Sequence, residues 1–199
     1  MKRWVVTGPI GSGKSVVTAV LAGHGAAVLD GDRLGHEILA RPEIAARIAA
    51  RFGADTVRDG VVDRRRLGEL VFAAPEALAA LDAITAEPLA RLFAARLDDL
   101  ERAGDHALAV LEAAVYFQLP TPPPVDLVVA VVAAADVRER RLVAQRSLTP
   151  EAARRRIAAQ ARWEPLWRRA DVIINNDGTP AELGRAADEL VRRHLRTER

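Results

Sequence analysis

Eight residues near the start of the chain limit its possible folds more than any other stretch: Gly8-Pro9-Ile10-Gly11-Ser12-Gly13-Lys14-Ser15. They fit G-x-x-x-x-G-K-[ST], follow the apolar run Trp4-Val5-Val6 and precede an apolar-periodic stretch from Val16 to Leu21. Strand, glycine-rich loop and helix in that order are the context a P-loop requires. Glycines let successive backbone N–H groups turn toward a phosphate chain, and the following helix presents its positive N-terminal end to that charge. The spacing predicts a nucleoside triphosphate held by Gly11, Ser12, Gly13, Lys14, Ser15 and Val16. Lys14 would reach the β- and γ-phosphates, and the Ser15 hydroxyl would ligate Mg²⁺.

Composition narrows the class. A chain of 199 residues, half of them hydrophobic, makes one or at most two domains and can bury a sizeable core. It has no cysteine, which excludes a disulfide framework, a thiol nucleophile and a thiolate metal site. Lys2 and Arg3 are followed by only Trp4 to Val6 before Gly8 and Pro9, too little for a signal peptide, and no apolar run is long enough to span a membrane. A cytoplasmic protein without a membrane partner is expected. Lys2 and Lys14 are the only lysines, so the formal charge of +2 is carried by arginine. Arginine grips phosphate with a bidentate fork, but a general preference for Arg and Ala gives the same composition, so no nucleic-acid partner is read from it. The four histidines, His24, His36, His106 and His194, show no metal-ligand spacing.

Along the chain, the first helix is expected to end near Gly23 to Gly25, and Ala26 to Leu29 reads as a short strand that delivers Asp30-Gly31-Asp32 to its C-terminal end. In an open parallel sheet that edge is where ligands bind, so either aspartate is a candidate base or Mg²⁺ carboxylate, or else a helix cap. From Pro42 to about Gly104 four helical stretches (43–52, 65–72, 76–84 and 88–102) follow one another, with a turn at Asp59-Gly60. The cluster Arg64-Arg65-Arg66 is either a phosphate-holding group or a solvated helix start. The strand Ala107 to Leu111 ends on Glu112, which is either a carboxylate near Mg²⁺ or its waters or an acid of no catalytic role. Pro120 to Pro124 is a stiff connection into the apolar run Val125 to Val132, which reads as a central parallel strand. The segment from Asp136 to Arg169 is helical and crowded with Arg (Arg138, Arg140, Arg141, Arg146, Arg154, Arg155, Arg156), which is either a flap closing over nucleotide phosphates or a solvated face paired with Glu139 and Glu151; Trp163 and Trp167 read as packing residues rather than a base-stacking platform. A last strand, Val172 to Ile174, runs into Asn175-Asn176-Asp177-Gly178 and a closing helix from Pro180 to about Leu195.

Five strands alternating with helices and started by a P-loop argue a doubly wound parallel α/β sheet of the P-loop NTPase type. The P-loop specifies triphosphate binding and leaves the reaction open. Several further pieces together resemble the dephospho-coenzyme A kinase family: GPIGSGKS, Val28-Leu29-Asp30-Gly31-Asp32, the block Asp59 to Leu67 through Val71-Phe72, Arg156-Ile157 with Gln160, and Ala170 to Ile173 leading to Asn176 and Gly178. The resemblance covers nearly the whole chain. It implies one unit made of a nucleotide core (about 1–33, 105–136 and 161–199), a helical substrate-binding insertion (about 34–104) and an Arg-rich helical lid (about 137–160). It implies ATP-dependent phosphorylation of the ribose 3′-hydroxyl of dephospho-coenzyme A. Asp32 would be the general base, Lys14 and the lid arginine Arg141 would stabilise the transferring phosphoryl group, Ser15 would hold Mg²⁺, and Asn176 would lie near the adenine.

The chain departs from the family pattern in four places. Glu87-Pro88 stands for the usual His-Pro, Ala114 to Gln118 for Pro-Leu-Leu-Phe-Glu, Gln145 for a second lid arginine with Arg146 one further on, and Pro9 for a glycine. Two rival readings remain at this stage: a P-loop kinase of another small acceptor such as a nucleoside or nucleotide, and a non-kinase P-loop ATPase. No N-K-x-D guanine signature is present, which disfavours a GTPase switch.

Overall fold

The computed structural model describes residues 1–71, 74–146 and 148–195, with the side chains of 145 and 146 outside the description. Expectations that fall on Phe72 and on the Gln145 and Arg146 side chains therefore lie outside the described residues. The strands are β1 (Lys2–Thr7), β2 (Ala27–Asp30), β3 (Val57–Arg58), β4 (Val61–Val62), β5 (Leu108–Glu112), β6 (Leu127–Val132) and β7 (Val172–Asn175). The α-helices are α1 (Lys14–Gly23), α2 (Gly31–Leu39), α3 (Pro42–Phe52), α4 (Arg64–Val71), α5 (Pro75–Ala103), α6 (Ala135–Arg146), α7 (Pro150–Gln160), α8 (Glu164–Trp167) and α9 (Pro180–His194).

Five strands form one sheet in the order β2-β5-β1-β6-β7, with every neighbouring pair parallel. Successive side chains on a strand point to opposite faces, and here both faces are apolar. Val5, Leu111 and Val128 join a core with Leu34, Ile38 and Phe93 from α2 and α5. Trp4, Val6, Val110, Val129 and Val131 point the other way, into a core with Val17 and Leu21 of α1 and Leu183 and Leu190 of α9. The result is the expected doubly wound α/β layer arrangement. β1 lies at its centre, so the loop that follows β1 opens at the carboxyl edge of the sheet, where such folds bind ligands.

The helical segment differs from the sequence expectation in two respects. The turn at Asp59-Gly60 is flanked by paired strands, Val57 opposite Val62 and Arg58 opposite Val61. The two stretches expected on either side of Pro88 are one helix, α5, with Pro88 inside it. Proline removes the N–H that would bond the carbonyl four residues earlier, which ordinarily kinks or ends a helix. That carbonyl belongs to Ile84, and Arg47 of α3 supplies a donor in place of the missing one: Nη1 donates to Ile84 O at 3.2 Å, while Nη2 also reaches Ala83 O at 3.5 Å. The region 136–169 is divided at Pro150, where Thr149 caps α7 by accepting from Ala152 N at 3.2 Å, and again by a turn at Ala161–Trp163.

Candidate active site

The loop between β1 and α1 has a backbone that only glycine supports at two key positions. Gly8 has φ +134° and Gly13 φ +100°; a Cβ at the first would collide with Val131 O, and at the second with Asn176 Nδ2. Lys14 folds back over the loop, its Nζ donating to Gly8 O and Pro9 O at 3.1 Å each, and Ser12 N donates to Pro9 O at 3.3 Å. Pro9 thus serves the loop through its carbonyl. No acidic residue occupies the first turn of α1, so its positive end is left to an external anion.

Beside this loop lies a cavity of about 120 Å³ lined by Lys14, Ser15, Glu112, Arg141 and Asn176 together with Gly11 and Gly13. Residues far apart in sequence are wired together on its wall. Asn176, 5 % exposed, donates from Nδ2 to Ser12 O at 2.7 Å and accepts at Oδ1 from Arg141 Nη2 at 3.3 Å; the same Nη2 donates to Gly178 O at 3.2 Å. Among the described residues three buried side-chain polar atoms have no protein partner: Gln118 Oε1, away from this loop, and, at it, Ser12 Oγ and Arg141 Nη1. An unsatisfied buried donor costs about 1–3 kcal/mol, so the two at the loop fit an anionic occupant that accepts from them. Phosphate oxygens at the start of α1 meet that requirement.

The carboxylates divide into three roles by position. Asp30 is a helix cap, accepting from Asp32 N at 2.9 Å and Arg33 N at 3.1 Å. Glu112 reaches the cavity wall at the end of β5, where Thr18 Oγ1 donates to its Oε2 at 2.8 Å. Asp32 stands exposed in the first turn of α2, off the wall of the cavity. The adjoining Gly31 is so close to Glu112 O that a Cβ there would collide with it, which seats the start of α2 on the end of β5. Among the described residues no group of three or more His, Asp or Glu could hold a metal unaided.

Three contacts had no counterpart in the sequence reading. Gln160 Oε1 accepts from Ile10 N at 2.7 Å, tying the end of α7 to the phosphate loop. Thr18 anchors Glu112 as described. Arg138, which the sequence does not distinguish from the other arginines of the 136–169 segment, is 3 % exposed; its Nε donates to Ala133 O at 3.0 Å and its Nη2 to Glu164 Oε1 at 3.4 Å. Burial pushes the Arg138 guanidinium pKa down, partly opposed by Glu164. Its backbone oxygen packs against Gly11, so α6 rests directly on the loop. The only hint in the sequence was the position of Gln160 inside a family-like stretch. Of the Arg64 to Arg66 cluster, Arg65 pairs with Glu69 at 2.7 Å and Arg66 with Asp55 at 3.0 Å. Trp167 is buried, and Arg162 stacks over Trp163 at 4.4 Å from the ring centre, so neither indole is a free base-stacking platform.

Comparison with known proteins agrees with this geometry. A dephospho-CoA kinase of Streptomyces avermitilis is 40% identical over 93% of this chain and 90% of its own length. A crystal structure from Thermus thermophilus superposes with a TM-score of 0.73 at 32% identity, covering 97% of each chain. The dephospho-CoA kinase structure from Campylobacter jejuni, at 22% identity and a TM-score of 0.59 over 96% of each chain, shares the fold. The family model described as dephospho-CoA kinase matches residues 4–182, which takes in the phosphate loop, Asp32, Arg141 and Asn176. With its glycine-shaped phosphate loop, its Arg141–Asn176–Ser12 wiring and this match over most of its length, the chain belongs to the dephospho-CoA kinase family.

Proposed function

We propose that the chain transfers the γ-phosphoryl group of ATP to the ribose 3′-hydroxyl of dephospho-coenzyme A, forming coenzyme A and ADP in the last step of coenzyme A biosynthesis. The observation that carries this reading is the anion cradle, in which Ser12 Oγ and Arg141 Nη1 are buried without partners beside Lys14, with an exposed Asp32 after β2, two strands from β1 at the same edge of the sheet.

In this scheme the backbone of Gly11 to Val16 orients the phosphate chain. Lys14 leaves the Gly8 and Pro9 carbonyls for the β- and γ-oxygens, and Arg141 adds its unpartnered Nη1 as charge moves onto the transferring group. Asn176 holds Arg141 and Ser12 in register, and the adenine lies by the 175–178 loop. Asp32 accepts the proton of the 3′-hydroxyl as its oxygen bonds to the γ-phosphorus and the bond to the ADP oxygen breaks. Ser15 would hold Mg²⁺ on the wall that also carries Glu112, which Thr18 positions, and the metal would supply positive charge against the triphosphate. Helices α6 and α7 act as the lid, and the segment 34–104 binds the acceptor. Among the described residues no helix is long and apolar enough to cross a membrane.

The test is ADP release from ATP and Mg²⁺ with dephospho-coenzyme A, AMP, adenosine or no acceptor. Release that depends on dephospho-coenzyme A supports the reading. Preference for a bare nucleoside or nucleotide would assign the chain to another kinase class, and acceptor-independent release would make it an ATPase.

A further inference from the structure

The peptide between Pro9 and Ile10 is held at both of its ends, and the two ends lead to different parts of the molecule. Its carbonyl accepts from Ser12 N at 3.3 Å and from Lys14 Nζ at 3.1 Å, which closes the turn that sets Ser12 between Gly11 and Gly13. Its N–H donates to Gln160 Oε1 at 2.7 Å, across 150 residues of sequence. The C=O and N–H of a trans peptide point in opposite directions, so an acceptor that fixes the Ile10 N–H on the α7 side also aims the Pro9 carbonyl into the loop. The bond to the N–H polarises the same peptide and strengthens that carbonyl as an acceptor. Gln160 is itself kept in place. It is half-buried at the last residue of α7, and the turn Ala161–Trp163 brings Glu164 to Arg138, whose Nη2 donates to it at 3.4 Å. Arg138 presents its backbone oxygen to Gly11, where an added Cβ would lie 3.1 Å away. The circuit from Ile10 through Gln160, Glu164 and Arg138 back to Gly11 closes on the outer arch of the phosphate loop.

We infer that Gln160 is a positioning residue for triphosphate binding: it holds the Pro9–Ile10 peptide in the orientation that presets the Ser12 turn, so the phosphate chain meets a loop already ordered. Proline has no N–H, which leaves the Ile10 N–H as the first backbone donor after Gly8; spent on Gln160, it is turned away from the ligand. Without an acceptor at position 160 the Ile10 N–H seeks water and the peptide plane is free to rotate. Ser12 N then loses a well-aimed acceptor, and binding has to restore order that the parent loop already has. Lys14, which also donates to Gly8 O, exchanges both carbonyls for phosphate oxygens, so the lasting effect falls on the Ser12 turn. Gln160 touches no phosphate in this arrangement and acts through the loop. The inference rests on triphosphate binding at the loop and not on the identity of the acceptor.

Calorimetric titration of the full chain with a non-hydrolysable ATP analogue and Mg²⁺, beside adenosine followed by ligand-observed NMR, tests this. Gln160→Met keeps an unbranched side chain of good helix propensity and removes the acceptor; its native circular dichroism is checked first. The analogue should bind about 10-fold more weakly, the scale of one buried hydrogen bond, with adenosine within about twofold of the parent. Gln160→Glu returns an oxygen to Ile10 N. At about 0.5 M salt, where its added charge is screened, it should bind the analogue within about threefold of the parent in the same buffer. Parental affinity in Gln160→Met, an equal loss for adenosine, or a Glu variant as weak as the Met variant would overturn the role. A parent that binds no analogue would remove the triphosphate reading of the loop and this inference with it.

Discussion

At the scale of single residues, the site separates the groups that hold a phosphate chain from the group that takes a proton. Lys14, Ser12, Arg141 and Asn176 meet around one cavity, whereas Asp32 stands in solvent at the start of α2 with its backbone N–H given to Asp30. That position leaves its carboxylate open to an acceptor hydroxyl arriving beside the nucleotide. Asp32→Asn should therefore lower kcat by roughly 10² to 10⁴ while ATP affinity, read by equilibrium titration, changes little. A variant with near-parental kcat would remove Asp32 from the chemistry. Asp30 behaves differently despite being two residues away. Its side chain is occupied by two backbone N–H groups, so its substitution should register in stability rather than in turnover.

At the scale of elements, helix α5 shows how a tertiary contact overrides a local rule. Pro88 leaves the Ile84 carbonyl without its helical donor, and Arg47 Nη1 takes that donor's place from α3. Arg47→Ala should cost about 1–2 kcal/mol, the range for a partly buried charged hydrogen bond, and lower Tm by about 2–4 °C per kcal/mol in a chain of this size. In a Pro88→Ala background, where the backbone N–H returns, the same substitution should cost much less; equal losses in both backgrounds would contradict the replacement. This contact marks the boundary of what the sequence makes legible. The strand, loop and helix around GPIGSGKS could be read because their signals are local: glycine placement, apolar runs and 3.6-residue periodicity. The Asn176–Ser12 bond joins residues 164 apart and the Gln160–Ile10 bond residues 150 apart, and neither leaves a periodic trace. Arg138 carries the same residue type as its exposed neighbours, so only packing reveals that it is buried under the loop.

At the scale of the whole molecule, the helical segment and the α7 region touch through Asp82 of α5 and Arg162, with Oδ2 and Nη2 3.8 Å apart. Burial holds the Asp82 carboxyl above its usual range, and the Arg162 charge only partly opposes this. A carboxyl with a raised folded-state pKa binds its proton more tightly in the folded protein than in the unfolded chain. Its contribution to stability is therefore lost as pH climbs through the window that begins at the ordinary aspartate value of 3.8. Asp82→Asn should melt above the parent at pH 7, with the gap narrowing toward pH 4; a lower melting point at pH 7 would show that the ion pair outweighs the burial cost. The largest claim, that the sheet-edge cradle, Asp32 and the helical segment together make a dephospho-coenzyme A kinase, has a more direct test. ATP, Mg²⁺ and dephospho-coenzyme A are incubated with the parent protein, and the acceptor and nucleotide products are quantified by mass. Coenzyme A and ADP appearing in equal amounts is the predicted result; ADP accumulating while dephospho-coenzyme A keeps its mass would contradict the account.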